Sequence, residues 1–377
     1  MKNRLLVLGS GMFVNGQNSE TRGVILPSIY QFLNDNPHDF EIYLTYRSFE
    51  GKQHNLQCCE FLKINNLAKV NHLKSDFSPA DIKNLAKSNK IDSAIISLPD
   101  HLHHATCKVL LECGVNTLVV KPFVLKLEDA VELTKLQEGS NIHGQIEFHK
   151  RLDYSNRYLK SEYQKGSIGD ILKIDIRYSQ NKRLPLNFFK SWSSYTNVFS
   201  YLGVHYVDLI YWITGYYPTR VSAFSSKYFI EKVNLEYSFD VIIEWELENK
   251  KFNSNFSINW CEMDSSQATS LQYFNTLGTN GRINLNQTDR GIHHIIENKG
   301  LKHINPYYVF EEIDNNKISY SGYGIDSVIS FMKNITNKKT KYPSFRDGII
   351  SSAVIEAVEK SSKLNGESVK IFLDEKI

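Results

Sequence analysis

The first third of the chain alternates short apolar runs with segments whose apolar residues recur at helical spacing. Leu5 to Leu8 is followed by Val24 to Leu33, Glu41 to Tyr46 by Leu56 to Ile64, and Ile91 to Ser97 by His103 to Cys113. A short continuous apolar run suits a strand covered on both faces. A 3.6-residue period suits a helix covered on one, so the alternation predicts βαβ units and a parallel sheet. Thr117 to Val120 adds a short strand stopped before Pro122, and a helix over 127–136 with a strand over 144–148 makes the last crossover.

From about Arg151 the pattern changes. Ile171 to Ser179, Arg220 to Phe229, Tyr237 to Leu247 and Phe252 to Cys261 are long, aromatic-rich strand patterns without intervening helices, which predict an antiparallel sheet. Asn280-Gly281 between two such runs is a hairpin signal. Ile349 to Leu364, with Gly366 after it, predicts a terminal helix with a glycine stop. The expectation is two domains, α/β over 1–150 and α+β with a large, mostly antiparallel open sheet over 151–377, the last helix able to pack back on the first. A length of 377 residues agrees, being long for one core.

Composition narrows the class of partner. With 44 basic against 41 acidic residues, a net charge of +3 and no basic cluster, no nucleic-acid partner is expected. Five cysteines without a CxxC suggest neither a disulfide framework nor a zinc ribbon, and a reducing cytoplasm fits best. The apolar run at the N-terminus is too short for a signal peptide or a membrane span, and no later run approaches membrane length, so a protein without a membrane partner is expected.

Candidate chemistry gathers where strands end. Gly9-Ser10-Gly11, with Met12 and Phe13, follows the first strand, where a dinucleotide-binding turn needs glycine for its bend and for close approach of the backbone to pyrophosphate. The third glycine of that pattern is missing, since Val14 stands in its place; an insertion runs on to Gly23, which can take the third role. The second strand ends in Arg47-Ser48, where an NAD site would carry Asp or Glu. A cation and a hydroxyl suit a 2′-phosphate, which favours NADP over NAD.

The strand over 91–97 ends in Leu98-Pro99-Asp100-His101-Leu102-His103-His104. The histidine spacing shares no helical face, so no metal site is expected. Asp100 is read as a helix cap, and the segment, with Leu98, Pro99, His101 and His103, as packing against the cofactor. Lys121, before Pro122, sits at the next strand end, where loss of solvation would lower its pKa and let it move a proton; a surface lysine beside a turn proline is the plainer alternative. Tyr201, His205 and Asp208 recur at i, i+4 and i+7 on a helix ending at Gly215, three polar groups among apolar neighbours. Asn181 to Trp192 offers cations and an aromatic wall for a sugar, or a solvated basic loop.

In their order these motifs resemble the glucose-fructose oxidoreductase, inositol dehydrogenase and rhizopine catabolism (Gfo/Idh/MocA) family. The resemblance rests on Gly9-Ser10-Gly11, Pro99 with His103, Lys121-Pro122, Gly169, Gly203-Val204-His205 with Asp208, Gly278-Thr279-Asn280-Gly281, and Pro343 to Gly348 followed by Glu356-Ala357 and Ser361. It implies a Rossmann domain, a second domain whose open sheet makes homo-oligomer contacts, and a site between them for a carbohydrate-like substrate. It also implies NAD(P)-dependent hydride transfer at a hydroxyl or keto carbon. The family's glutamate-lysine-proline motif maps onto Val120-Lys121-Pro122 and its aspartate-x-x-x-histidine pair onto Tyr201 and His205. The resemblance thus leaves Lys121 and His205 as the acid/base pair, with Tyr201 as a possible donor, and Lys150 and Arg151 facing substrate oxygens. The resemblance also allows an NAD-assisted glycosidase or lyase without net oxidation, since the fold can use bound NAD transiently; the two missing carboxylates allow a non-catalytic cofactor sensor, against which the retention of Lys121 and His205 speaks.

Overall fold

The computed structural model describes residues 3–16, 23–36, 39–188, 190–230, 233–298, 300–315, 317–336 and 339–373. The chain divides into two compact units.

The first unit is built on six strands, β1 (Asn3–Leu8), β2 (Phe40–Tyr46), β3 (Lys69–Lys74), β4 (Ser93–Ile96), β5 (Asn116–Val120) and β6 (Gly144–Glu147), all parallel in the order β3-β2-β1-β4-β5-β6. The order reverses between β1 and β4, so their carboxyl ends border the crevice where open parallel sheets hold ligands. β1, β2, β4 and β5 are the continuous apolar runs and are buried almost throughout. β3 carries no such run. It is an edge strand with exposed lysines at both ends and half-buried residues between them, and for that reason its periodicity is faint. The helix Pro79–Ser88 after it is capped by Ser78, whose hydroxyl accepts from the Asp81 amide.

The division departs from two consecutive blocks. Residues 307–348 belong to the first unit, and residues 125–127, 153–306 and 349–377 form the second. The physical reason is an apolar face. Helix Ile25–Asp35 buries Ile25, Leu26, Ile29, Phe32 and Leu33, and that face shares a core with Ile325, Val328, Phe331 and Met332 of helix Tyr323–Ile335. Tyr30 Oη donates to Ile318 O, and the Ile146 amide of β6 to Pro343 O.

The second unit carries a seven-stranded mixed sheet of β7 (Ile171–Asn181), β8 (Tyr217–Ile230), β9 (Val233–Leu247), β10 (Lys250–Glu262), β11 (Ser270–Gly278), β12 (Arg282–Asn286) and the short β17 (Val369–Lys370), with the hairpin β13 (His293–Ile296)/β14 (Gly300–His303) following β12 in sequence; the hairpin β15 (Phe310–Asp314)/β16 (Lys317–Ser321) belongs to the segment that returns to the first unit. The order is β12-β11-β7-β10-β9-β8-β17, antiparallel except for β7 with β10. The hairpin signal at Asn280-Gly281 is the β11–β12 turn. Two motifs distant in sequence meet there: a Cβ on Gly278 would lie 2.0 Å from Ile168 O, and one on Gly169 (φ +69°) 2.1 Å from Thr279 Oγ1. These glycines let the turn dock, a structural use. Among the described residues, no helix is long and apolar enough to cross a membrane.

Candidate active site

The turn after β1 is shaped by one close approach. Gly9 has φ +112°, and a Cβ on it would lie 2.2 Å from Ser97 O at the end of β4, so any side chain would push the two strand ends apart. Its amide donates to Thr45 Oγ1 (3.0 Å), which donates to Val7 O (3.0 Å). Gly11 precedes the short helix Met12–Asn15, and a Cβ there would meet nothing within 4 Å. Backbone that faces open space beside a helix start is what a pyrophosphate requires, so these residues fit a dinucleotide. Asn15 holds the turn from behind, donating to Ser10 O and to Asn55 Oδ1, and Asn55 donates to Thr45 O. Gly23 packs tightly on the backbone of Val14 to Gly16, the close packing expected of a third glycine. Residues 17–22 of the insertion lie outside the described residues. Gly51, which spacing does not single out, lets helix Phe49–Leu62 come up to Ser10: a Cβ would lie 2.4 Å from Ser10 Oγ.

At the end of β2, Arg47 is exposed. Ser48 is the cap of the next helix, its hydroxyl accepting from the Gly51 amide at 3.1 Å. Asp76 is held below the usual carboxylate range by the Ser78 backbone and side chain, with a smaller contribution from Arg47.

The ends of β4, β5 and β6 bring together the groups able to move protons. His103 is buried between two loops, one ring nitrogen 2.8 Å from Leu98 O and the other 2.8 Å from Pro122 O, so it ties the segment after β4 to the one after β5. His101 is exposed, and His104 Nε2 lies 2.7 Å from Glu132 Oε2 at the surface. Asp100 does not cap a helix. It lies inside a 3-10 turn, Asp100–Leu102, which begins after Pro99 without a side-chain cap, and it is 5% exposed. Its charge acts on Lys121 instead. Burial lowers the Lys121 ammonium from 10.5 to about 8, against the opposing pull of Asp100 and Glu147.

Glu147 is the residue that sequence reasoning missed. It is fully buried at the end of β6 and is the register partner of Val120, so a carboxylate stands one strand across from the position where the resemblance expects one. Both its oxygens accept from His149 Nδ1 (2.8 and 2.9 Å). His149 stacks on Phe13 of the nucleotide turn and on Tyr323 of the returning segment. Lys150 is 3% exposed on the same turn. Arg151 pairs with Asp347 (2.8 Å). Burial alone would raise the Asp347 carboxyl, but Arg151 and the Ser344 hydrogen bonds outweigh it and hold the group below the usual carboxylate range.

In the second unit His205 and Asp208 lie on helix Val204–Thr214, both buried, and the helix ends at Gly215. Tyr201 precedes that helix on a π-helical turn, Phe199–Gly203, which interrupts the α-helical phase assumed for Tyr201, His205 and Asp208. Tyr201 meets Trp192 (ring centroids 6.3 Å) and Trp260 of β10 (5.7 Å), an aromatic group of which only Trp260 was not anticipated.

A parallel sheet with a glycine turn at its switch point and a desolvated lysine two strands on defines a nucleotide-binding oxidoreductase fold. Residues 35–145 match the oxidoreductase family with an NAD-binding Rossmann fold, and residues 156–284 match the GFO/IDH/MocA C-terminal domain. The chain belongs to the GFO/IDH/MocA family of oxidoreductases. It is 24% identical over 143 residues to the rhizopine catabolism protein MocA of Rhizobium meliloti, a match covering 38% of this chain and 44% of that one. It is 21% identical over 267 residues to the 2,7-anhydro-N-acetylneuraminate hydratase of Mediterraneibacter gnavus, covering 67% and 66%. In fold it is similar to scyllo-inositol dehydrogenase from Lactobacillus casei, with a TM-score of 0.70 at 16% identity over 98% of this chain and 99% of that one.

Proposed function

We propose that this chain is a nicotinamide-dependent dehydrogenase or reductase acting on a hydroxyl or keto carbon of a sugar, sugar derivative or cyclitol. The observation that carries the reading is Lys121, at the end of β5 with its ammonium lowered to about 8. A lysine with that pKa is charged enough near neutrality to hold a substrate oxygen and close enough to neutrality to exchange a proton with it. Gly9, Ser10, Gly11, Met12 and Phe13 would hold the pyrophosphate. Leu98, Pro99, His101 and His103 would line the nicotinamide side. Arg47 favours a 2′-phosphate and so NADP over NAD. When bound, the nicotinamide exchanges a hydride with the substrate carbon. Lys121 orients the oxygen on that carbon, and His205 is the leading proton acceptor. Tyr201, Trp192, Lys150 and Arg151 are the substrate-binding residues in this reading, with Arg151 acting through its pairing to Asp347.

The similarity to the Mediterraneibacter gnavus hydratase favours a second reading, because addition of water involves no net oxidation and a bound nicotinamide would then end each turnover unchanged. One experiment tests both. Polyols, aldoses, aminosugars and nucleotide sugars are screened by NAD(P)H absorbance, with NADPH and NADH binding measured side by side. Net absorbance change with one class, tighter NADPH binding and a loss of turnover by ~10² or more in Lys121→Ala are expected. Turnover without absorbance change selects the second reading, tighter NADH binding removes the NADP preference, and near-normal turnover in Lys121→Ala removes the lysine.

A further inference from the structure

The β13–β14 hairpin of the second unit gathers side chains that the reading above does not use. His293 and His303 are register partners across it, with ring centroids 4.9 Å apart at 72°. Asp289 lies on the loop leading in. His293 Nε2 is 3.1 Å and His303 Nδ1 3.8 Å from Asp289 Oδ1, and the donor atoms of the three residues all lie within 4.8 Å of one another.

The tautomer of His303 is set by its neighbour. Its Nε2 faces Gln267 Oε1 at 2.9 Å, and an amide oxygen only accepts, so Nε2 carries the proton and Nδ1 presents a lone pair. That Nδ1 is buried and has no hydrogen-bond partner among the described residues. A buried lone pair aimed at a carboxylate is unfavourable unless a positive centre lies between them. The His303 backbone amide also donates to Gln267 O (2.9 Å), so Gln267 fixes both the main chain and the ring of His303.

The loop carrying Asp289 is equally fixed. Arg290 is buried in a pair with Asp153 (2.6 Å), and the Gly291 amide donates to Asp289 Oδ1 (2.8 Å). We propose that Asp289, His293 and His303 form a binding site for a divalent transition cation of the zinc type. Zinc–nitrogen and zinc–oxygen bonds of ~2.0–2.2 Å in tetrahedral array put neighbouring donors roughly 3.4 Å apart, between the two distances to Asp289 Oδ1. Two imidazoles and one carboxylate suit zinc, cobalt or nickel rather than calcium or magnesium, which take oxygen ligands. A water completes the shell, because His293 and Asp289 are half-exposed. The Gln267 amide oxygen is the partner that fixes a metal-bound histidine. The ion fastens the hairpin to the loop that precedes it.

The test uses the full chain stripped with a chelator and titrated with Zn²⁺ by calorimetry and with Co²⁺ by visible absorption. One equivalent is expected, with the absorption of four-coordinate cobalt. His303→Ala and the half-exposed His293→Ala are each expected to lose that equivalent while keeping the wild-type circular dichroism, and Gln267→Ala to weaken it ~10–100-fold. The proposal is overturned if the wild type binds no stoichiometric ion, or if His293→Ala binds it with unchanged affinity and cobalt spectrum.

Discussion

Among single residues, the proposed function rests most on Lys121, whose buried ammonium is opposed in its loss of charge by Glu147. The carboxylate that the resemblance places at 120 is replaced by valine, and the buried Glu147 stands directly across in β6. Its charge opposes the desolvation that lowers Lys121. Glu147→Gln removes that opposition, so if Lys121 governs the pH dependence of the rate, the ionisation expected near pH 8 moves to lower pH in the variant. Glu147→Gly is expected to lose activity that Val120→Glu in the same chain partly restores; a pH profile that stays in place and a double variant no better than the single one would count against the charge partnership.

The same lysine makes a stability statement. Its folded pKa of about 8 is below the ordinary 10.5, so between these values the unfolded chain binds more protons and stability rises with pH, while below about 8 the native state bears the full cost of the buried ammonium. Lys121→Met is therefore expected to be at least as stable as the wild type near pH 7, with its advantage shrinking by about pH 9.5. Urea melts at the two pH values check this. Lysine and glycine positions are legible in sequence because they follow strand ends directly. Glu147 is not, because its relation to Val120 depends on the register of two strands, which no local pattern encodes.

Among elements, the ones read correctly are those with strong periodicity and burial on a whole face, such as β1, β2 and helix Ile25–Asp35. β3 escaped because an edge strand need not be apolar. Tyr323–Ile335 is amphipathic, but nothing in its own pattern says which domain receives its apolar face; Ile25, Ile29 and Phe32, some three hundred residues earlier, decide that. Phe331 is fully buried in that contact. Phe331→Ala is expected to cost ~3–5 kcal/mol, read as a lower urea midpoint for the first unit. A loss below about 1 kcal/mol would mean that the helix contributes little to that core.

For the whole molecule, the family resemblance implies self-association through the large sheet. The outer face of that sheet is largely polar, yet Ile242 is 52% exposed and stands on the same face as Phe224, at 61%. We expect Ile242→Lys to shift the chain toward monomer in light scattering without changing its thermal midpoint by more than a few degrees. An unchanged mass would place any assembly elsewhere. Chain order at this scale was read as two blocks because composition changes once, near Arg151, and does not visibly change back at Tyr307.

The return of residues 307–348 to the first unit has a consequence for how the protein is made. Residues 153–306 are in effect inserted into the first unit, whose core needs Ile325 to Met332 from beyond the insertion. On a ribosome adding ~5–20 residues per second, the apolar face of helix Ile25–Asp35 stays uncovered for roughly 9–36 s after residue 152 is added, until Met332 follows. The second unit waits longer still, because its sheet takes β17 and its β8 strand donates a hydrogen bond to Ser361, both within residues 349–377, so neither unit is complete until the chain is nearly finished. A fragment ending at residue 150 would stay in that unfinished state.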